Sequence, residues 1–193
     1  MLSIADDTGR VQLENPAASA PNTHWNYSSG TSNLLSYLLR KQFKTHQEYL
    51  DFWYAQLIDR IGMHSMLIET DMVGNYVGSS YGWATARDWA KFGLLYLHKG
   101  NWNGDQVFDP SWENYVSTPT NDSKEGYGAH FWLNAGGHFP AAPRDMYSCN
   151  GYQGQKVFII PSLDLVIVRM GLSDEGKYDV NELLAGVIGS FKK

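Results

Sequence analysis

A tyrosine two residues ahead of a small polar residue, at the mouth of an apolar helix, is an arrangement that can move protons. This chain carries one in Trp25-Asn26-Tyr27-Ser28-Ser29-Gly30-Thr31-Ser32-Asn33-Leu34-Leu35. A phenolic hydroxyl held near a cation can take a proton as general base and return it as general acid. Ser29 can donate a hydrogen bond that orients a neighbour, over a shorter reach than an amide. By itself Tyr27 reads more readily as an ordinary half-buried tyrosine at a helix start, with Ser28 or Ser29 as the helix cap.

A nucleophile is harder to find. Only Ser190 stands three residues before a lysine, Lys193. That pair sits at the carboxyl end of the sequence, where the desolvation that would let lysine activate serine is not expected. Gly78-Ser79-Ser80-Tyr81-Gly82 fits the Gly-x-Ser-x-Gly elbow, but an elbow needs an apolar strand before it and a parallel sheet around it. Asp71-Met72-Val73-Gly74-Asn75-Tyr76-Val77 precedes it instead, with polar and flexible breaks. Ser80 is therefore not expected to be a nucleophile. Cys149, the single cysteine, reads as a small buried apolar residue and excludes an internal disulfide. The six histidines (24, 46, 64, 98, 130 and 138) form no His-x-x-x-His pair and no His/Cys cluster. No metal and no cofactor are expected.

The elements that must position these groups come next. The chain has 193 residues, 43% hydrophobic and 18% charged, which is enough for one domain with a packed core. A net charge of −5 argues against nucleic acid as a partner. Seven Trp and twelve Tyr are many for this length, and such residues line pockets for organic ligands as well as cores. Met1-Leu2-Ser3-Ile4-Ala5-Asp6-Asp7 lacks the basic start and apolar run of a signal peptide, which would place a complete chain in the cytoplasm. No 18-residue apolar window exists, so no membrane span is expected.

Residues 1–24 read as irregular, with Asn15-Pro16 and Ala20-Pro21 as punctuation. Helical spacing of Leu34, Leu35, Leu38 and Leu39 predicts a helix over 31–43. Tyr49, Phe52, Trp53, Leu57 and Ile61 predict a second over 46–61, ended by Gly62. A Gly- and Ser-rich loop follows over 71–82. Thr85 and Asp88 have the spacing of a capping box for a third helix ending near Lys99-Gly100. Residues 101–109 read as turns, and Asp109-Pro110 opens a short helix. The period then shortens. Residues 127–134 read as a strand, and 155–160 and 165–170 as a hairpin around Pro161-Ser162-Leu163-Asp164. Residues 180–191 predict a closing helix. Helices first, antiparallel strands next and a packing helix last make an α+β class.

Four segments, in order, resemble the serine β-lactamase and penicillin-binding-protein-like hydrolases, in particular their esterase and 6-aminohexanoate-dimer hydrolase branch. They are Tyr27-Ser28-Ser29-Gly30 with its leucine-rich helix; Leu57-Ile58-Asp59-Arg60-Ile61-Gly62-Met63; the stretch from Gly78 through Thr85-Ala86-Arg87-Asp88 to Gly93; and Gly151-Tyr152-Gln153-Gly154-Gln155 with the hairpin after it. The resemblance implies the carboxyl-terminal portion of a β-lactamase/transpeptidase-like domain over 1–193, with 1–118 mainly helical and 119–193 strands plus a terminal helix. It also implies that the family's Ser-x-x-Lys nucleophile, which lies well upstream of the tyrosine, is absent from this sequence.

On that resemblance, Tyr27 is the proton shuttle and Ser29 stands where the family usually has Asn. The Lys-Thr-Gly position falls on Cys149-Asn150-Gly151 or on Met146-Tyr147-Ser148. The first is favoured because Gly151 then keeps the strand-edge glycine; neither carries a cation. Asn150, Gly151, Gly154 and Gln155 are the candidate substrate-binding edge, with Trp25 and Tyr152 as pocket walls. Gly151 and Gly154 also fit a plain tight turn. The expected function is serine hydrolysis of a small-molecule ester or amide through an acyl-enzyme. The alternative is a non-catalytic truncated remnant that binds a ligand or partner. A complementary amino-terminal half, or self-association, is the expected protein partner.

Overall fold

The computed structural model of the chain describes residues 6–173 and 177–191. Met1 to Ala5, on which part of the signal-peptide reading rests, and Lys193 of the Ser190–Lys193 pair lie outside the described residues. The architecture is α+β, with helices, antiparallel strands and a carboxyl-terminal helix in that order. The chain divides into two compact units, Met1–Asp88 and Trp89–Lys193.

The first unit holds α1 (Thr8–Leu13), α2 (Ser29–Arg40), α3 (His46–Trp53) and a short ribbon of β1 (Leu67–Ile68) with β2 (Gly82–Trp83). Helix α1 corrects the irregular reading of 1–24 over residues 8–13, while 14–24 carry no helix or strand. It has too few residues for a visible apolar period, but Asp7 caps it by accepting the Arg10 N–H at 2.9 Å. It docks because Gly9 lets it lie against α2, where a Cβ would collide with Tyr37 Cβ.

Helix α2 starts with Ser28 at the capping position, yet the Ser28 side chain makes no capping bond, so that expectation is corrected. Its inner face is also not the leucine stripe. Gly30, Asn33 and Ser36 are buried, while Leu35 and Leu38 are 50% and 45% exposed. Backbone approaches this face closely, and only small or hydrogen-bonding side chains fit: Ser36 Oγ donates to Tyr76 O at 2.7 Å.

Helix α3 opens with a complete Thr45–Glu48 capping box and passes into a wider π turn over Tyr54–Ile58 before Gly62, at φ 67°, ends it. Tyr49 is fully buried, and its hydroxyl accepts the Tyr76 N–H at 2.8 Å while pairing with Ser36 Oγ at 2.8 Å.

Helix α4 (Ala86–Leu97) opens at the end of the first unit. The second unit continues with a tight hairpin, β3 (Asn101–Trp102) and β4 (Asp105–Gln106), then α5 (Ser111–Ser117), a four-stranded sheet and α6 (Val180–Ser190). The hairpin turns on Asn103 and Gly104, both at positive φ. Asp109 accepts the Ser111 N–H at 2.8 Å at the start of α5.

The sheet is antiparallel throughout, in the order β5 (Trp132–Leu133), β6 (Tyr147–Asn150), β7 (Lys156–Ile160), β8 (Leu165–Arg169). Strand alternation divides its core in two. Val157 and Ile159 pack with Leu133, Tyr147 and Val116 beside Trp89 and Phe92. Phe158 and Ile160 pack with Met146, Leu184 and Ile188. Only Trp132–Leu133 of the strand expected over 127–134 forms. The chain ahead of it turns on His130, at φ 66°, and the Gly128 N–H donates to Phe131 O at 2.8 Å.

Candidate active site

Trp25, Tyr27 and Ser29 follow one another along the chain into the start of α2. Trp25 is half-buried, Tyr27 is 58% exposed two residues before the helix begins, and Ser29 is its exposed first residue. The Gly78–Gly82 segment of the sequence lies on the same helix. Ser79 N–H donates to Asn33 Oδ1 at 3.2 Å, and a Cβ on Gly78 would come within 2.8 Å of Ser32 O. Two of the four resembling segments therefore meet on α2. Within this contact the Asn33 Nδ2 and Ser79 Oγ atoms are buried without a hydrogen-bond partner.

The chain ahead of Ser80 is not the strand that a nucleophile elbow requires. Thr70 and Tyr76 bridge across a turn in which Asp71 Oδ1 accepts the Asn75 N–H at 2.9 Å. The other Asp71 oxygen accepts the Thr8 N–H at 3.0 Å, tying the turn to α1.

The start of α4 is fixed by side chains that the capping-box spacing only partly anticipates. Thr85 Oγ1 accepts the Asp88 N–H at 3.3 Å, as a cap should. The Asp88 carboxylate accepts both the Ser65 N–H at 2.8 Å and the Ser65 hydroxyl at 2.6 Å. Ser65 Oγ in turn accepts the Thr85 N–H at 2.9 Å, so Ser65 relays the acid to the backbone it was expected to reach directly.

In the second unit, Asn150, Gly151, Tyr152, Gly154 and Gln155 all fall in the turn that joins β6 to β7. Asn150 ends β6 and its Oδ1 accepts from Ser148 Oγ at 3.2 Å. The Gly151 N–H donates to Gln155 O at 2.8 Å, closing the turn. Tyr152 is 83% exposed. Gln153 and Gly154 take φ of 51° and 85°, the left-handed region that glycine tolerates best.

Of the two placements of the Lys-Thr-Gly position, Met146-Tyr147-Ser148 is buried inside the core, with 2%, 1% and 3% exposure. Burial, with the nearby Glu113 carboxylate, drives the Tyr147 hydroxyl far above its usual range. Asn150 and Gly151 lie at the open end of the strand. Cys149 packs toward the core, and burial pushes its thiol up to about 12, so it is no thiolate at neutral pH.

Several residues at this turn have no motif to announce them. Arg169 Nη1 donates to Gly154 O at 2.7 Å and to Gly171 O at 3.2 Å, and its Nη2 donates to Ser173 Oγ at 2.5 Å. The guanidinium lies 3.8 Å over the Tyr178 ring, and the Tyr178 hydroxyl donates to Gly154 O at 3.2 Å. Gln155 Nε2 donates to Gly171 O at 2.8 Å, and the Gly171 N–H donates back to Gln155 Oε1 at 2.9 Å. The one sequence signal was a cation closing an apolar strand. Among the described residues, no group of three His, Cys, Asp or Glu is placed to hold a metal ion, and no helix is long and apolar enough to cross a membrane.

The fold is that of a β-lactamase-like hydrolase, of which the chain spans a part. It superposes with TM-score 0.71 on a Bacillus anthracis protein assigned as a 6-aminohexanoate-dimer hydrolase, at 21% identity, covering 92% of this chain and 45% of that one. It superposes with TM-score 0.68 on a protein from Bacteroides dorei DSM 17855 assigned as a beta-lactamase, at 12% identity, covering 97% of this chain and 64% of that one. A beta-lactamase from Mycobacterium bovis gives TM-score 0.68 at 15% identity, over 97% of this chain and 71% of its own. No curated protein matches in sequence. The Beta-lactamase family model matches residues 5–184, and the chain belongs to that family.

Proposed function

We propose that this chain carries the proton-shuttle and substrate-edge parts of a serine hydrolase that cleaves a small-molecule ester or amide through an acyl-enzyme. The observation that carries the reading is Tyr27, exposed at the mouth of α2 with the 78–82 loop packed on that helix. In the proposed reaction a serine from a Ser-x-x-Lys helix attacks the carbonyl, and Tyr27 passes its proton toward the leaving group. Ser29 orients the lysine or the substrate. Asn150, Gly151, Gly154 and Gln155 offer backbone and side-chain polar groups along the edge where the substrate lies, and the strand that begins near Gly154 and Gln155 borders the oxyanion site. Trp25, half-buried ahead of α2, and Tyr152, exposed in the 151–155 turn, are each a candidate aromatic contact for the substrate.

The only Ser-x-x-Lys in the sequence is the Ser190–Lys193 pair, and the chain spans 45% of the assigned 6-aminohexanoate-dimer hydrolase. Both facts support a nucleophile supplied by a complementary polypeptide segment. The want of a cation at Cys149-Asn150-Gly151 removes an anchor for a substrate carboxylate. It favours neutral esters and amides over β-lactam carboxylates.

The test is to find the in-frame Ser-x-x-Lys segment beside this coding sequence, produce the two together, and compare p-nitrophenyl butyrate turnover with that of Tyr27→Phe. A loss of about 10²-fold or more in kcat is expected for a shuttle. Unchanged kcat removes Tyr27 from the reaction. Absence of any such segment favours the non-catalytic remnant.

A further inference from the structure

We infer that Arg169 is a positioning residue for the turn at 151–155, the side chain that fixes the substrate edge of the sheet in a single conformation. What the turn touches rests on the hydrolase reading; how the turn is held does not.

Arg169 is the last residue of β8 and pairs with Lys156, the first of β7. Its side chain therefore leaves the sheet at the end where the turn enters. A guanidinium is a rigid planar fork with five donors. Here it serves three acceptors from three places in the chain: Gly154 O in the turn, Gly171 O just past β8, and Ser173 Oγ beyond that. Tyr178 covers one face of the plane and adds a second donor to Gly154 O. Gln153 O accepts the Ser173 N–H at 3.0 Å, so turn and outgoing segment are also joined backbone to backbone.

The grip is directed at backbone that a free chain would leave. Gln153 and Gly154 are consecutive left-handed residues, and Gln153 is not glycine. A Cβ at Gly154 would approach Tyr178 Cε1 to 2.8 Å and Arg169 Nη1 to 2.9 Å. The turn and its clamp are thus fitted to each other at contact distance. Arg169 is not among the residues that build either core cluster. Its loss should loosen the turn and leave the sheet standing. Lysine cannot replace it, because one ammonium neither stacks flat on Tyr178 nor spans the three acceptors.

The test uses the whole chain. Amide exchange is compared in the wild type, Arg169→Gln and Arg169→Lys. Exchange at Gly151 and Ser173 should rise at least tenfold in both variants, while residues 157–160 of β7 stay within twofold. Unchanged exchange at Gly151 and Ser173 overturns the inference. Should Arg169→Gln fail to fold, Ser173→Ala removes one acceptor only, and must loosen the same two amides to a smaller degree.

Titration with 4-nitrobutyranilide, an uncleaved amide, read at the Gly151 and Gly154 amide resonances, supplies the functional arm. Affinity should fall at least fivefold in Arg169→Gln, and equal affinity contradicts a positioning role. If the wild-type resonances do not move while the exchange result is obtained, the hydrolase reading of this edge fails and the clamp stands.

Discussion

Three glycines of the second unit turn one chemical change, glycine to alanine, into three different outcomes. Gly186 lies exposed inside α6 with nothing within 4 Å of an added Cβ and no positive φ, so alanine should stabilise by about 0.5–1 kcal/mol through helix propensity and a restricted unfolded chain. Gly104 also has empty space around it, but its φ is +94°. Alanine there should cost about 1–2 kcal/mol in backbone strain alone. Gly154 combines φ +85° with the approaches to Tyr178 Cε1 at 2.8 Å and Arg169 Nη1 at 2.9 Å. The strain adds to the loss of one or both hydrogen bonds onto its carbonyl, about 0.5–1.5 kcal/mol each, for a total of about 2–4 kcal/mol. At roughly 2–4 °C per kcal/mol for a chain of this size, Gly186→Ala should raise Tm by a few degrees. Gly104→Ala should lower it by roughly 2–8 °C, and Gly154→Ala should lower it by roughly 4–16 °C. Thermal unfolding followed by circular dichroism reads all three. A Gly154→Ala variant no less stable than Gly104→Ala would refute the clamp geometry, and a destabilised Gly186→Ala would refute the exposed helix face.

Other outcomes follow from buried polar groups. Tyr49→Phe removes the acceptor of the Tyr76 N–H and a partner of Ser36, so it should cost about 1–3 kcal/mol in urea unfolding; a change under about 0.5 kcal/mol would contradict the buried network. Cys149, pushed up to about 12 by burial, should resist iodoacetamide at pH 8 in the folded chain and react rapidly in urea; equal rates would contradict its packing against the core. The same burial sets an alkaline limit. Cys149 and Tyr96 are both raised to about 12, from 9.0 and 10.0, so the folded state holds protons that the unfolded chain releases. Stability should be full below about pH 9 and decline from there toward pH 12, which urea midpoints across that range would show; a flat profile contradicts it.

Much of the fold was legible because it follows apolar period. The β7–β8 hairpin shows as two β-branched runs around Pro161 to Asp164, α4 as a helix opened at Thr85 and ended near Gly100, and α6 as an amphipathic run over 180–191. What stayed hidden depends on partners far along the chain. Strand β6 reads Tyr-Ser-Cys-Asn, which has no strand pattern of its own and is held by β5 and β7 on its two sides. The leucines of α2 suggested an apolar inner face, but Gly30 lies under the Gln12 side chain while Asn33 and Ser36 bond to the backbone of Ser79 and Tyr76. Helix α1 is held by the Asp7 cap, the close fit of Gly9 on α2 and the Asp71 bonds to Thr8, none of which shows as an apolar period.

The candidate site divides the same way. Tyr27, Ser29 and the Gly151–Gln155 stretch of the sequence were marked by resemblance to family motifs. Arg169 was not, because its part is to bind carbonyls, and any residue offers a carbonyl; only the folded chain says which ones it reaches.

On the proposed function, this chain holds the shuttle and substrate edge of a serine hydrolase but not its nucleophile. Intact mass of the purified chain after treatment with a fluorophosphonate tests it most directly. An unmodified mass is expected for the chain alone, with labelling only when the Ser-x-x-Lys segment is present and then on that serine. A stoichiometric adduct on the chain alone, mapped to Ser80, Ser29 or any other serine, would contradict it.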